Sequence, residues 1–285
     1  MRITENLVPV SFEVYPPRGS LGLPQLHEAI KALQRALPNF ISVTFGAGGS
    51  STKDSLDVLT FIRDNTSAAP LAHITCVGST RGDARALLSS FLAEGVRHFL
   101  ALRGDLPEGT SEHQGELAHA TDLIELMRDM EHIPSQPEQI AVAAFPNGHP
   151  ESASLEEDIA TLLRKQDAGA TLAITQLFFY SSEYERFVEK CQSAGVSIPI
   201  LPGIMPITSM GRLERVLELT GEARPHDLAL QLSNAQDRSE QEKIGIDWSA
   251  RMVQELVEMD APGIHLYAFN QHTTVLSVLK QAGVR

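Results

Sequence analysis

The fold is decided by a unit first seen at residues 10–46, VSFEVYPPRGSLGLPQLHEAIKALQRALPNFISVTFG. Two short runs rich in β-branched and aromatic residues enclose a longer stretch with apolar side chains at helical spacing, at Leu26, Ile30, Leu33 and Leu37. A strand, a helix and a second strand in this order form the βαβ unit of a parallel sheet. The rest of the chain repeats this alternation.

Working outward from this unit, we count eight strand-like runs, each followed by a helical pattern. They are VSFEVY from Val10, FISVTFG from Phe40, LAHITC from Leu71, HFLALR from His98, QIAVAAF from Gln139, LAITQLF from Leu172, PILPGI from Pro199 and GIHLYA from Gly263. Eight strands with eight helices are typical of a closed (β/α)8 TIM barrel. The first turn, PPRGS, lacks the glycine fingerprint of a doubly wound sheet. The polar excursion at about 221–243 is interpreted as an elaborated connection, because no linker composition marks a boundary. We therefore predict one α/β barrel domain over residues 1–285.

The composition is that of an ordinary globular protein, with 42% hydrophobic and 21% charged residues among 285. The formal net charge of −13 repels a phosphate backbone, so we do not expect nucleic acid as a partner. The apolar runs are too short to span a membrane, and MRITENLVPV lacks the pattern of a signal peptide, so we expect a cytoplasmic protein with no membrane partner. Cys76 and Cys191 form no CxxC pair and the histidines lack ligand spacing, so no metal site is predicted. Whether the chain forms a homo-oligomer stays open.

Polar residues at the strand ends are the functional candidates, since a barrel of this kind carries its active site at the C-terminal ends of its strands. Glu13 alternates with apolar neighbours, so its carboxyl is partly desolvated whichever face it occupies. Desolvation raises the pKa of a carboxyl and suits it to donate a proton, although a Glu buried in an ion pair for packing has the same pattern. The full set of candidates is Glu13, Thr44, His73, Thr75, Arg103, Asp105, His149 and Gln176.

The helix predicted after HPESAS has two distinct faces. One arc is apolar, and we expect it to pack on the barrel. The other carries an acid, a hydroxyl and two cations, at Asp158, Thr161, Arg164 and Lys165. Such a face can bind ribose hydroxyls and a pyrophosphate, and a solvated helix face has the same pattern.

These residues lie in segments that resemble the methylenetetrahydrofolate reductase family over nearly the whole chain. The segments are FEVYPP at Phe12, SVTFGAGGS at Ser42, HITC at His73, LRGDLP at Leu102, AAFPNGHPES at Ala143, RKQDAGA at Arg164, AITQLFF at Ala173, PGIMPI at Pro202 and HLYAFN at His265. The resemblance implies a barrel that binds FAD. It also implies reduction of methylenetetrahydrofolate to methyltetrahydrofolate with NADH or NADPH, by a ping-pong mechanism.

Carried over position by position, the resemblance also assigns roles. Glu13 matches the general acid, Asp105 the acid near flavin and pterin, and Gln176 a residue that contacts the pterin where the nicotinamide also docks. The positions matched to cofactor contacts, with Thr44 matched to the nicotinamide, are Thr44, Phe45, His73, Arg103, Gly104, Asp105, His119, Ala120, Phe145, His149, Asp158, Thr161, Arg164 and Lys165.

Two positions matched to the substrate site depart from the family pattern. Met210 stands where many members have an aromatic residue or Leu, and it can still cover the folate or the nicotinamide. Gln271 stands where many have an Arg that meets the anionic p-aminobenzoyl-glutamate tail, which leaves recognition of that tail open. Two alternatives remain: a flavin barrel acting on another one-carbon or amino-acid substrate, and a folate- or flavin-binding module without catalysis. Glu13, Asp105 and Gln176 together argue against the second.

Overall fold

A computed structural model of the protein describes residues 7–17, 22–44, 52–104, 115–130 and 136–285. The strands in these ranges are β1 Val10–Val14, β2 Phe40–Val43, β3 Ala69–Thr75, β4 His98–Leu102, β5 Gln139–Ala144, β6 Leu172–Thr175, β7 Ile200–Leu201, β8 Gly203–Ile204 and β9 Ile264–Tyr267. The helices are α1 Leu23–Leu33, α2 Thr52–Asn65, α3 Arg81–Ala93, α4 Ala120–Arg128, α5 Leu155–Ala168, α6 Ser181–Ser193, α7 Met210–Thr220, α8 His226–Asn234, α9 Arg238–Glu258 and α10 His272–Gln281. None of these helices is both long enough and apolar enough to cross a membrane.

The strands form one parallel sheet in the order β7-β6-β5-β4-β3-β2-β1-β9-β8. The seventh predicted strand is divided at Pro202: its first half, β7, pairs with β6, and its second half, β8, pairs with β9. Proline has no backbone N–H for a sheet ladder, but the carbonyl of Pro202 accepts a hydrogen bond from His265 N at 3.0 Å. The divided strand therefore bridges β6 and β9 and completes the ring. The predicted α/β barrel is confirmed.

Gly203 occupies a position where the closing strands pack tightly. A Cβ there would collide with the carbonyl oxygen of Thr175 and lie 2.8 Å from the ring of Tyr267. The Tyr267 hydroxyl donates to the same Thr175 oxygen at 2.7 Å. A residue without a side chain is therefore required for β6, β8 and β9 to meet.

Apolar side chains fill both sides of the sheet. The barrel interior is packed by Phe40, Leu71, Leu100, Ala141, Leu172, Ile174 and Leu201. The alternate residues of the strands, such as Phe12, Ile41 and Phe99, pack outward against the helices. Because the interior is filled at this level, polar groups that face inward near the strands' C-terminal ends form the mouth of the barrel.

Two connections differ in detail from the sequence pattern. Leu37 has the spacing of the first helix, but α1 ends at Leu33 and a 3₁₀ turn follows, leaving Leu37 at φ +49° and 58% exposed. Pro38 follows directly, and a proline disfavours the helical conformation in the residue before it, so the helix does not continue through Leu37. The excursion at 221–243 is largely helical: Gly221 ends α7 in the left-handed conformation, and α8 and the start of α9 follow.

Candidate active site

The mouth of the barrel contains a carboxyl group between two imidazoles. Glu13 Oε2 on β1 lies 3.5 Å from His73 Nε2 on β3 and 3.9 Å from His265 Nε2 on β9. Ser11 Oγ, one inward position below Glu13, lies 2.9 Å from His265 Nδ1 and orients that ring. The side chain of Glu13 is 14% exposed, while both imidazoles are buried. We call Glu13, His73 and His265 the acid–imidazole cluster.

The imidazoles change the acidity of Glu13. Burial raises the pKa of its carboxyl, but the proximity and charge of His73 and then of His265 lower it, and the net pKa lies below the ordinary value. The pKa of His73 is itself lowered, chiefly by burial, against the opposing charge of Glu13. The sequence-based prediction of a raised pKa for Glu13 was therefore wrong, because His73 on β3 and His265 on β9 together outweigh the effect of burial.

Each imidazole has a buried ring nitrogen that can take a further hydrogen bond. Among the described residues, neither His73 Nε2 nor His265 Nε2 has a hydrogen-bond partner, although both atoms are buried. Thr44 Oγ1, at the end of β2, is buried without a described partner as well. Buried polar atoms of this kind are ordinarily satisfied by a ligand or an ordered water. The floor of the mouth therefore has the character of a binding site.

Positive charges gather at the next strands of the ring. Lys165 Nζ on α5 donates to the carbonyl oxygen of Ala143 on β5 at 2.9 Å. Burial lowers the pKa of Lys165 to about 8; Asp158 opposes this shift, and the charges of Arg103 and Arg164 add to it. We call Arg103, Arg164 and Lys165 the cationic cluster. Of these three cations Lys165 is the one whose charge is desolvated, and an anion would offset both that desolvation and the repulsion from the two guanidiniums, so the cluster is suited to bind one.

The polar face of α5 is only partly solvated. Its Asp158 is buried and accepts from His149 N at 2.8 Å and from Ser152 Oγ at 2.6 Å. The loop after β5 folds back over the first turn of the helix, and its N–H and hydroxyl groups need this acceptor. Arg164 is exposed and donates to Thr161 Oγ1 at 2.7 Å.

The Arg103 guanidinium is held by a second loop residue. Its two terminal nitrogens meet the carboxylate of Glu151 at 2.6 and 2.9 Å, the two-bond geometry in which Arg pairs best with carboxylates. The next residue, Gly104, has φ +89°, and a Cβ there would lie 2.9 Å from Val77 Cγ1 and 3.0 Å from the Cβ of Thr75. The turn after β4 therefore needs glycine to place Arg103 over β5.

Several other predicted cofactor residues lie in the segments that follow β4 and β5. The Phe145 ring meets the His149 ring edge-on at 4.7 Å. His119 is the exposed N-cap residue of α4, and Ala120, the first residue of that helix, is buried. Phe45 and Asp105 lie outside the residues that the structure describes.

The predicted substrate residues in the described ranges follow β6, β8 and β9. Gln176 directly follows β6, and its Oε1 accepts from Leu177 N at 2.9 Å. Met210 is the first residue of α7 and is half-buried. Gln271 is the exposed N-cap residue of α10. The structure thus places these three residues in the segments that follow three strands of the ring.

Sequence reasoning missed Ser11, His265 and Glu151. The alternation of VSFEVY and GIHLYA would have placed Ser11 and His265 on the same face as Glu13, since register partners in neighbouring parallel strands point the same way. Glu151 gave no signal, because its partner lies 48 positions earlier in a different loop. His, Cys, Asp and Glu side chains in the described ranges form no group of three arranged to hold a metal ion.

Comparison with known proteins gives one consistent family. The family model described as methylenetetrahydrofolate reductase matches residues 1–283. The 5,10-methylenetetrahydrofolate reductases of Salmonella typhimurium and Escherichia coli are each 33% identical to this chain over 282 residues, covering 99% of it and 93% of the relative. A solved structure from Clostridium thermocellum, described as an uncharacterized protein that binds two copies of 5-methyl-5,6,7,8-tetrahydrofolic acid, has a TM-score of 0.64 at 12% identity. It covers 96% of this chain and 95% of its own, and at this identity it supports the fold alone.

Proposed function

Because this chain belongs to the methylenetetrahydrofolate reductase family, we propose that it reduces 5,10-methylenetetrahydrofolate to 5-methyltetrahydrofolate, using NADH or NADPH and bound FAD, by a ping-pong mechanism. The observation that carries the proposal is the presence of two clusters at one barrel mouth. The acid–imidazole cluster is suited to proton transfer. The cationic cluster, on α5 and directly after β4, is suited to a dinucleotide.

The donor set on α5 and after β4 fits the diphosphate of FAD. Lys165 and the two guanidiniums supply charge-assisted donors, and Lys165 regains full protonation when an anion offsets its desolvation. Thr161, beside Arg164, offers a hydroxyl to the ribose side of the cofactor. Held there by Lys165, Arg103 and Arg164, FAD would supply the hydride-transfer chemistry of the reaction.

Glu13 is the group that we assign to proton transfer. The five-membered ring of the substrate opens when its departing nitrogen takes a proton, which leaves an iminium cation on the other nitrogen. Glu13 Oε2 holds that proton before transfer, and His73 and His265 keep the carboxyl in position. Asp105, an anion matched to the pterin site, is proposed to stabilise the cation.

The lowered pKa of Glu13 sets a condition on this role. At neutral pH the free carboxyl is ionised, so it must gain a proton as the substrate binds. A bound pterin excludes water from the exposed part of Glu13, and this added desolvation raises a carboxyl pKa. The folate half-reaction is therefore expected to slow as pH rises.

The test is anaerobic stopped flow of the purified protein. We expect a yellow protein with about one FAD per chain, whose flavin absorbance is bleached by NADH and restored by methylenetetrahydrofolate. A folded but colourless protein that takes up no FAD would refute the cofactor assignment. If NADH bleaches the flavin but methylenetetrahydrofolate does not restore its absorbance, the assignment of the substrate is refuted.

A further inference from the structure

The loop after β9 has an unusual backbone at the mouth of the barrel. Phe269 and Asn270 both have positive φ angles, +44° and +61°, which non-glycine residues seldom adopt. The side chain of Asn270 compensates by bonding both backbone groups of Tyr15, accepting from its N at 3.1 Å and donating to its O at 2.9 Å. Strain maintained in this way is typical of functional sites. Here it fixes the Phe269 ring 6.2 Å from the ring of Tyr15.

This aromatic pair lies directly outside the proton-transfer site. Glu13 and Tyr267 are register partners on β1 and β9, and Tyr15 and Phe269 each follow two positions later. The ring of Tyr267 lies 6.5 Å from the ring of Phe269, centroid to centroid, so the rings continue outward from the register partner of Glu13. A ligand that reaches Glu13 with one end therefore passes these two rings with the other.

A cation lies on the ring of Phe269. The Arg212 guanidinium carbon is 5.8 Å from the ring centroid, a cation–π distance, and Arg212 Nη1 donates to Pro206 O at 3.3 Å. Among the described residues this is the only hydrogen-bond acceptor for the five N–H donors of Arg212, and no described carboxylate forms an ion pair with it. Burial lowers the pKa of Arg212. The charge is therefore desolvated without being neutralised.

Other arginines of the same region are neutralised. Arg215, one turn along α7, pairs with Glu218 at 2.6 Å, and Arg224 pairs with Glu214 at 2.6 Å. In a chain with a net charge of −13, an arginine at the mouth without a carboxylate partner points to an anionic ligand.

We propose that Arg212 binds the carboxylate of the substrate's p-aminobenzoyl-glutamate tail, with Phe269 and Tyr15 against its aromatic ring. This inference rests on the proposed function. It also explains how the chain manages with a neutral amide at Gln271, two residues from Phe269 at the start of α10. The positive charge is supplied by Arg212 on α7 instead, and it lies over the ring of Phe269.

The experiment compares Arg212→Gln with Arg215→Gln, a matched loss of charge on the solvent side of α7, in the FAD-loaded enzyme. The KM for methylenetetrahydrofolate should rise about 10-fold to 100-fold in Arg212→Gln, as expected for one charge-assisted contact. Its limiting rate of folate reduction, its rate of flavin reduction by NADH and its melting temperature should stay close to wild type. Arg215→Gln should match wild type throughout.

Fragments separate the tail from the rest of the substrate. Calorimetric binding of p-aminobenzoyl-glutamate should weaken by the same factor in Arg212→Gln, and binding of neutral p-aminobenzamide should not change. The double variant Arg212→Gln, Gln271→Arg should recover binding of the charged fragment. An unchanged affinity for this fragment, or no binding to the wild type, would overturn the inference, whereas failure of methylenetetrahydrofolate to restore the flavin would overturn the proposed function.

Discussion

Replacement of Lys165 by methionine tests whether the cationic cluster, which is suited to bind an anion, lowers the free energy of unfolding of the protein. Burial brings the pKa of Lys165 from 10.5 to about 8. At neutral pH the side chain is still mostly charged, and keeping this charge in the folded protein rather than in the unfolded chain costs about 3 kcal/mol of stability. Methionine fills a similar volume without a charge, but it gives up the bond to Ala143 O, which stabilises by about 1 kcal/mol. We expect Lys165→Met to raise the free energy of unfolding of the FAD-free protein by about 2 kcal/mol at pH 7.

The dependence on pH distinguishes this explanation from better packing. Between about pH 8 and 10.5 the unfolded chain binds the Lys165 proton and the folded chain does not, so the wild type gains stability as pH rises through this window. The advantage of the variant should therefore be full below pH 8 and shrink toward pH 10.5. Urea unfolding at pH 7 and pH 9.5 measures it, with Lys190→Met, at an exposed surface pair, as the control. A variant that is less stable than wild type at pH 7, or an advantage that does not vary with pH, would refute the reasoning.

Three further changes test other parts of the protein. Glu13→Gln should retain FAD, and its flavin should be reduced by NADH at a rate within about tenfold of wild type. In single-turnover absorbance measurements, reoxidation of the flavin by methylenetetrahydrofolate should fall about 100-fold to 10,000-fold, while reoxidation by menadione should persist. Equal losses in the NADH and folate half-reactions would make Glu13 a structural residue. Gln271→Arg should lower the folate KM about tenfold without changing flavin reduction, and an unchanged KM would place the tail elsewhere. Gly203→Ala should lower the free energy of unfolding by about 1–3 kcal/mol in urea titration, because the new methyl group collides with Thr175 O and Tyr267, and a neutral effect would contradict the tight closure.

Local patterns predicted the barrel because each strand and helix is encoded by nearby residues. Short β-rich runs alternating with helical periodicity need no long-range information, and they also place Glu13 and His73 at strand ends. The division of the seventh strand was less accessible: PILPGI has the composition of one strand, and only the pairing of its halves with β6 and β9 shows the change at Pro202.

The electrostatics of the site depended on contacts that the sequence does not specify. Glu13 was predicted to have a raised pKa from its own neighbours, but the shift is set by His73 and His265 on other strands. In the same way, helical periodicity identified the polar arc of α5, but the burial of Asp158 on that arc depends on the loop after β5, where His149 N donates to it.

Closure of the ring between β1 and β9 also shapes how the protein reaches its fold. Most neighbouring strands are joined by a single helix and can pair early, but Ser11 and its register partner His265 are 254 positions apart. Until that last pairing forms, a nearly complete sheet has two open edges, and each can accept a strand from another chain. Refolding at high protein concentration should therefore lose material to aggregation, while dilution favours the closed ring.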